Sequence, residues 1–244
     1  MTELLRRCYP HKKYEEVILL NPYQELDQAM RECRKCADLF AQNPVDPRAG
    51  VVAVVEPRPI VSGIRPKPLM MIGQAPGLTE YQTGKPFQGD AGKGIKSVLA
   101  ELGLHQASFD NLVYSAAVIK CFPGSKALLR RDKVREDILP SAAMISNCQP
   151  FFEKQIQLAD PKIIVTLGRL PLKAYLKLTG RTSSLARLEH FVGRKETWKG
   201  RAVVFFPHTS GQSRWLNELK NRVLFGQAKA LLRSELLEQH IVTV

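Results

Sequence analysis

The sequence predicts an α/β fold in which a parallel β-sheet is covered by helices. Short apolar runs alternate with helical patterns along most of the 244-residue chain, an order typical of parallel strands joined by helical crossovers. The apolar content of 44% is enough for a sizeable core. The chain contains no internal repeat or low-complexity tract. We therefore expect one domain over residues 21–244, preceded by an N-terminal extension over residues 1–20.

The first helix is predicted by its capping pattern. Asn21 is a favourable N-cap residue, and Pro22 occupies the first helical position. Leu26 and Met30 follow at helical spacing. The C-x-x-C pair at residues 33–36 should therefore lie at the end of this helix.

Apolar runs bounded by Gly and Pro predict four buried strands. These strands lie at residues 69–72, 111–119, 161–167 and 201–206. Amphipathic patterns predict the helices between and after them. These helices lie at residues 91–102, 144–158, 171–178 and 216–239.

Several chemically active residues follow predicted strands, where the ligand sites of parallel sheets gather. The loop Gly73–Gly77 follows the first strand, Cys121 the second, and His208 the last. A Gly/Pro loop lets backbone N–H groups approach a ligand closely, although such loops also close strands for structural reasons. The position of His208 at a strand end favours a functional role over a buried core histidine.

Three further residues have both a functional and a structural interpretation. Phe87 can stack on a flat ligand or pack in the core. Asp90 can serve the same pocket or cap the helix that follows it. The basic loop around Trp215 can press into a DNA groove, or Trp215 can simply anchor the final helix.

The cysteines indicate a metal centre. Cys33 and Cys36 form a close pair, and Cys121 and Cys148 follow singly. Thiolates suit zinc or iron–sulfur clusters, and single distant cysteines fit a cluster better, although zinc stays possible. Alternatively, the two single cysteines are small buried apolar residues. A fifth cysteine, Cys8, makes the count odd, which argues against full disulfide pairing.

The net charge of +13 and the pI near 9.7 indicate an anionic partner, either nucleic acid or a membrane surface. A generic basic surface is the alternative. No apolar stretch approaches the about 18 residues of a membrane span, and the start of the chain lacks a signal-peptide core. We therefore expect a cytoplasmic protein with reduced thiols and no membrane partner.

Taken in order, these motifs resemble the uracil-DNA glycosylase superfamily, in particular its iron–sulfur branches, families 4 and 5. Those enzymes carry a C-x-x-C pair, a Gly/Pro loop with a T-G-x-P-F-x-G segment, a V-x-C-x-P strand end, a further cysteine and an H-P-S loop. The corresponding segments are Cys33 and Cys36, Gly73–Gly77 with Thr83–Gly89, Val118–Pro123, Cys148, and His208–Ser210.

The resemblance implies a four-stranded parallel sheet and hydrolysis of the N-glycosidic bond of a damaged base flipped out of DNA. Phe87 would stack on the base, while backbone groups of Gly73, Gln74 and Ala75 would act with His208 on the departing base. A [4Fe–4S] cluster would be bound by Cys33, Cys36, Cys121 and Cys148. The DNA-binding loop would include Ser210, Gln212, Arg214 and Trp215. The protein would be a nucleoid-associated monomer acting on DNA with deaminated bases.

Departures from the family pattern bear on the subtype. Ala117 stands where the strictly uracil-specific enzymes carry an Asn. Family 5 also has an apolar residue at this position, and its members accept a wider range of bases, including hypoxanthine. Gln74 replaces the family 4 Glu, and Ala75 replaces the water-activating Asp of family 1. Family 5 carries a Gly-Asp pair at the position of Gly89-Asp90, so if any carboxylate orients the water, we expect it to be Asp90. Thr209 replaces the usual Pro.

Three hypotheses follow. The first, which we favour, is a family 5-type enzyme acting on uracil and also on hypoxanthine or xanthine. The second is a family 4-like enzyme strictly specific for uracil. The third is an iron–sulfur protein that binds damaged DNA without catalysis.

Overall fold

The structure, a computed structural model, describes residues 20–41, 56–126, 136–210 and 213–243. The extension predicted over residues 1–20 lies outside the described residues apart from Leu20, and so does Gln212.

The central sheet has five strands in the order β2-β1-β5-β7-β6. Neighbouring pairs are parallel except for β6 and β7. A separate antiparallel pair is formed by β3 and β4. The strand bounds are β1 (Leu69–Gly73), β2 (Val113–Ala117), β3 (Ser125–Lys126), β4 (Glu136–Asp137), β5 (Ile163–Leu167), β6 (Lys195–Trp198) and β7 (Arg201–Phe206).

The four predicted strands are confirmed and run parallel, but the expectation of a four-stranded sheet was wrong, because β6 adds an antiparallel edge. The sequence of β6, Lys-Glu-Thr-Trp, has no apolar run, and its residues are only partly buried or exposed. The hairpin turn that joins β6 to β7 was not predicted from the sequence either. Lys199 and Gly200 have φ values of 49° and 75°, the positive values that a type I′ hairpin turn requires.

Helices lie between and after the strands. Their bounds are α1 (Pro22–Arg31), α2 (Ala37–Ala41), α3 (Leu78–Thr83), α4 (Asp90–Glu101), α5 (Gln106–Leu112), α6 (Ala142–Ala159), α7 (Arg169–Leu178), α8 (Leu188–Phe191) and α9 (Leu219–Glu238). The predicted N-cap of α1 is confirmed: Asn21 accepts from the N–H groups of Tyr23 and Gln24, and the Gln24 side chain accepts from the Asn21 N–H. Within the described ranges, no helix is both long enough and apolar enough to cross a membrane.

The core is centred on the parallel strands. Every residue of β5 is buried, as are the first four residues of β1 and of β2. Central parallel strands covered on both faces are expected to be continuously apolar. The resulting single α/β domain leaves the carboxyl ends of its strands as the place where loops can build a site.

Candidate active site and cysteine centre

A cavity of about 330 Å³ opens at the carboxyl ends of the parallel strands, within the size range of small-molecule sites. It brings together eight residues singled out from the sequence. They are Gly73, Gln74, Ala75, Phe87, Asp90, Ala117, His208 and Ser210. Their roles stay predictions, but one ligand in this cavity can touch all the elements that carry them.

Two glycines let Phe87 pack closely on its neighbours, because they have no side chains. A Cβ atom added to Gly73 would lie 3.4 Å from the Phe87 ring, and one added to Gly92 would lie 2.2 Å from the Phe87 carbonyl oxygen. Phe87 itself has a φ of 54°, an unfavourable conformation for a bulky residue that is found mostly where function requires it. The ring is therefore placed precisely at the cavity wall.

Glu80 fixes the two loops that flank Phe87, and we did not identify it from the sequence. Its buried carboxylate accepts from the Gly77 N–H at 3.0 Å, the Gln88 N–H at 2.9 Å and the Gly89 N–H at 2.7 Å. The available signal was its position three residues after Gly77, the spacing at which a Glu bonds back to a helix N-terminus. Glu80 thus links the Gly/Pro loop to the start of α4.

The hydrogen bonds of His208 define its protonation. Its Nδ1 lies 2.8 Å from the Ser210 Oγ and accepts from the Ser210 N–H at 3.4 Å. Because Nδ1 accepts, the proton of the neutral ring is on Nε2. Burial lowers the pKa of His208 below its ordinary value, so the imidazole is neutral at neutral pH. The ring therefore brings an N–H donor to the cavity.

The His208 loop is fixed against α4 by a residue that departs from the family pattern. The hydroxyl of Thr209 donates to the Ala91 carbonyl oxygen at 2.7 Å. A Cβ atom on Gly94 would lie 2.3 Å from the Thr209 carbonyl oxygen, so a glycine is required for the loop to approach the helix this closely.

The Gly/Pro loop offers further donors. The carbonyls of its first two residues are occupied, since Val118 N–H donates to Gly73 O and Ile119 N–H to Gln74 O. Within the described part of the chain, the N–H groups of Gln74 and Ala75 donate to no other residue. These two donors are therefore available to a ligand.

Asp90 lies at the rim of the cavity. It is the first residue of α4, whose N-cap is Gly89, so the interpretation of Asp90 as a cap is wrong. Its side chain is 80% exposed, and one oxygen lies 3.9 Å from the Lys93 Nζ. The carboxylate is well solvated.

Two buried polar residues in the cavity lining were missed in the sequence. Lys120 donates from Nζ to the Ala117 carbonyl oxygen, and burial lowers its pKa to about 8. Gln155 donates from Nε2 to the Tyr114 hydroxyl at 2.6 Å. A lysine within the apolar segment 118–122 was a detectable signal, whereas Gln155 looked like an ordinary polar position of a helix.

The four cysteines surround a second, small cavity. Cys33 and Cys36 lie in the α1–α2 connection, Cys121 follows β2, and Cys148 lies in α6. Burial raises the pKa of the Cys121 thiol, and the neighbouring thiols raise it further. Burial also raises the pKa of the Cys148 thiol, although the neighbouring Lys120 partly offsets this. Lys120 also lines this cavity. Three distant parts of the chain therefore meet at these sulfurs.

The four converging side chains form an all-sulfur donor set, which suits zinc as well as an iron–sulfur cluster. Among the described residues, no group of three or more His, Cys, Asp or Glu side chains is placed to hold one metal ion. The raised pKa values mean that Cys121 and Cys148 need a nearby cation to become thiolates.

The predicted DNA-binding loop is only partly described. Arg214 is exposed, while Trp215 is half buried and packs on the core. The Trp215 carbonyl oxygen accepts from the Asn221 side chain at 2.8 Å, which supports its interpretation as an anchor for α9. Neither residue lines the cavity.

Comparison with known proteins defines the class. A family model described as the uracil DNA glycosylase superfamily matches residues 62–233, a range that contains Phe87 and His208 of the cavity and the two single cysteines. The chain therefore belongs to the uracil DNA glycosylase superfamily.

Individual relatives refine this result. A protein of Sulfurisphaera tokodaii named type-4 uracil-DNA glycosylase is 34% identical over 143 residues, 57% of either chain. A protein of the same name from Pyrobaculum aerophilum is 28% identical over 159 residues, 65% of this chain and 66% of that protein. A Pyrobaculum aerophilum protein named type-5 uracil-DNA glycosylase is 26% identical over 127 residues, 48% of this chain and 51% of that protein. The chain thus spans between about half and two thirds of the length of these relatives.

Two helical glycines test the packing of the His208 loop. Gly94→Ala should lower the free energy of unfolding by about 1–3 kcal/mol, because its Cβ would overlap the Thr209 carbonyl. In α9, Gly226→Ala meets nothing within 4 Å and should raise stability by up to about 1 kcal/mol through helix propensity. Urea unfolding measures both. Equal changes in the free energy of unfolding for the two variants would contradict the close contact between Gly94 and the Thr209 carbonyl oxygen.

Proposed function

We propose that the protein is a DNA glycosylase that hydrolyses the N-glycosidic bond of uracil in DNA and leaves an abasic site. The observation that carries this proposal is the set of neutral donors around one cavity. His208, with its Nε2–H, and Gln74 and Ala75, with their unpaired N–H groups, line the same cavity as the aromatic ring of Phe87. Such donors stabilise negative charge that develops on a departing group.

The residues support a dissociative mechanism. The bond from C1′ to the base nitrogen breaks, and its electron pair moves onto the base. The His208 Nε2–H and the loop N–H groups donate to the base oxygen that gains charge. The sugar carbon becomes electron-poor and is attacked by water, which gives its proton to solvent or to a nearby carboxylate.

Asp90 is our candidate for orienting this water. Glu80 is a poor candidate, because three backbone N–H groups already occupy its two oxygens. The solvated carboxylate of Asp90 lines the same cavity. A dissociative reaction needs little general base, so we expect Asp90 to contribute less than His208.

The base range follows from Ala117. This residue lines the cavity and brings no polar group to select a single base. We propose uracil as the principal substrate, with hypoxanthine and xanthine as further substrates, in the manner of family 5. A second candidate is a strictly uracil-specific, family 4-like enzyme. The sequence identities support this candidate, because the two relatives named type-4 are 34% and 28% identical to this chain and the relative named type-5 is 26% identical.

We also propose that Cys33, Cys36, Cys121 and Cys148 bind a [4Fe–4S] cluster. Their convergence on one cavity and their all-sulfur chemistry support it. When bound, the cluster would supply iron–thiolate bonds that join the α1–α2 connection, α6 and the segment after β2, a structural role. The residues of the catalytic cavity need no electron from it.

DNA is the proposed partner of a monomeric enzyme. The net charge of +13 supports attraction to its phosphates. Ser210, Gln212, Arg214 and Trp215 follow His208 in the chain and remain our candidates for contacts with DNA beside the flipped base. The exposed guanidinium of Arg214 fits a phosphate contact best.

A glycosylase assay tests the proposal. Purified protein should convert uracil in duplex DNA to alkali-labile abasic sites, and His208→Ala should reduce the rate by about 10²–10³-fold, as for loss of an oxyanion donor. Because burial lowers the pKa of His208, the wild-type rate should hold through neutral pH and through the ordinary histidine pKa of about 6.5, and fall only at a more acidic pH. There, protonation of Nδ1 would break its hydrogen bond from Ser210. His208→Ala should lack this acidic fall.

Carboxylate variants and binding assays complete this test. Asp90→Asn should slow the reaction by less than His208→Ala does. The matched control Asp110→Asn, an exposed carboxylate of α5 outside the cavity, should leave the rate unchanged. A gel shift on uracil-containing duplex without any abasic product would instead support a non-catalytic protein that binds damaged DNA.

The substrate range has its own test. Ala117→Asn should narrow activity toward uracil and reduce excision of hypoxanthine and xanthine, since the new amide would select one base edge. Rates on the three substrates, wild type against variant, provide the measurement. An unchanged profile would contradict contact between residue 117 and the base. Wild-type activity on uracil alone would favour the family 4-like alternative.

Iron analysis tests the cluster. The purified protein should be brown, absorb broadly in the visible range, and contain iron and acid-labile sulfide. Cys121→Ser should lose iron and stability. Cys8→Ser is the matched control, since it removes the cysteine outside the proposed set, and it should keep both. Stoichiometric zinc in a colourless protein would overturn the proposal.

A further inference from the structure

Gln155 combines deep burial with an unmet hydrogen-bonding need. The residue is 1% exposed, and its side-chain nitrogen donates to the Tyr114 hydroxyl. Its Oε1 is buried and accepts from no partner among the described residues. Buried polar atoms are nearly always paired, so an unpaired acceptor is a feature that requires a cause.

The location of Gln155 suggests that cause. Gln155 lines the cavity that holds Phe87 and His208. No group among the described residues satisfies its Oε1. A ligand in the cavity that supplies an N–H donor to this atom would remove the cost of leaving the acceptor buried and unpaired.

A buried donor lines the same cavity as this acceptor. Lys120 is 3% exposed and also lines the cavity. Its Nζ lies 5.4 Å from the centre of the Phe152 ring, and Phe152 precedes Gln155 by three residues, on the same face of the helix. An amine of this kind carries several N–H donors, and one of them bonds to the Ala117 carbonyl oxygen.

We propose that Gln155 is a specificity-determining residue that accepts a hydrogen bond from the ring N–H of the flipped base, while Lys120 donates to the adjoining carbonyl. This inference rests on the proposed function and adds the chemical class of base. An acceptor beside a donor complements a lactam, the –NH–C(=O)– edge of uracil, hypoxanthine and xanthine. Cytosine and adenine present the opposite pattern, an unprotonated ring nitrogen beside an amino group.

The pair would explain how a site with Ala117 selects deaminated bases without the usual Asn. Each deaminated base would satisfy the same two protein groups, whereas cytosine and adenine would leave both unpaired. Guanine and thymine share the lactam edge, so their rejection must arise at other walls of the cavity, against the guanine 2-amino group and the thymine methyl group.

Binding of free bases to the full-length protein tests this inference without requiring catalysis. Calorimetry should show uracil binding at least about tenfold more tightly than N3-methyluracil, which lacks the ring N–H, and than cytosine. Gln155→Met, similar in size but without the acceptor, should lose most of this discrimination. Equal affinity of the wild type for uracil and N3-methyluracil, or no uracil binding at its solubility limit, would overturn the inference.

Two controls separate recognition from structure. Tyr114→Phe removes the Tyr114–Gln155 hydrogen bond, as Gln155→Met does, but leaves the Gln155 Oε1 in place. This variant should therefore keep the preference for uracil over N3-methyluracil. If Gln155→Met also keeps it, methyl crowding rather than Oε1 excludes N3-methyluracil, and the inference fails. Lys120→Met should weaken uracil binding at unchanged iron content. Unchanged binding would remove Lys120 from the proposal.

Glycosylase rates distinguish failure of this inference from failure of the proposed function. Cleavage of uracil-containing DNA without discrimination among free bases would leave the function standing and reject the role of Gln155. Discrimination among free bases without any cleavage would support the role of Gln155 and reject the glycosylase.

Discussion

The candidate site depends above all on the buried carboxylate of Glu80. One side chain accepts three backbone N–H groups from two loops that are separate in the sequence, and charged acceptors form stronger hydrogen bonds than neutral ones. This interaction joins the Gly/Pro loop after β1 to the start of α4. The ring of Phe87 and the free N–H groups of Gln74 and Ala75 owe their relative positions to it.

Close backbone packing does the rest. Gly92 and Gly94 let the Phe87 backbone and the His208 loop approach α4 more closely than any side chain would permit, and Gly73 lets the Phe87 ring pack on β1. The hydroxyl of Thr209 then fixes the loop to Ala91. The departure from the usual Pro at this position therefore replaces a ring constraint with a hydrogen bond, and the imidazole still reaches the cavity.

Much of this architecture could be predicted from the sequence, because buried parallel strands are continuous apolar runs and helix starts have capping residues. The strands at residues 69–72 and 201–206 and the cap at Asn21 follow from these local rules. The polar edge strand β6 was not predicted, because its pairing with β7, and not its own composition, makes it a strand. Glu80, Lys120 and Gln155 also escaped, because their importance arises from burial and from partners distant in the sequence.

Lys120 lines both the catalytic cavity and the cysteine cavity, and this has a consequence for any mutational dissection of the protein. Free energies of substitution add only when sites share no partner. Substitutions of the cysteines and substitutions in the catalytic cavity both affect residues that contact or neighbour Lys120. Their effects on stability and activity should therefore be strongly non-additive. Separating the two sites therefore requires double-mutant cycles through residue 120 rather than sums of single variants.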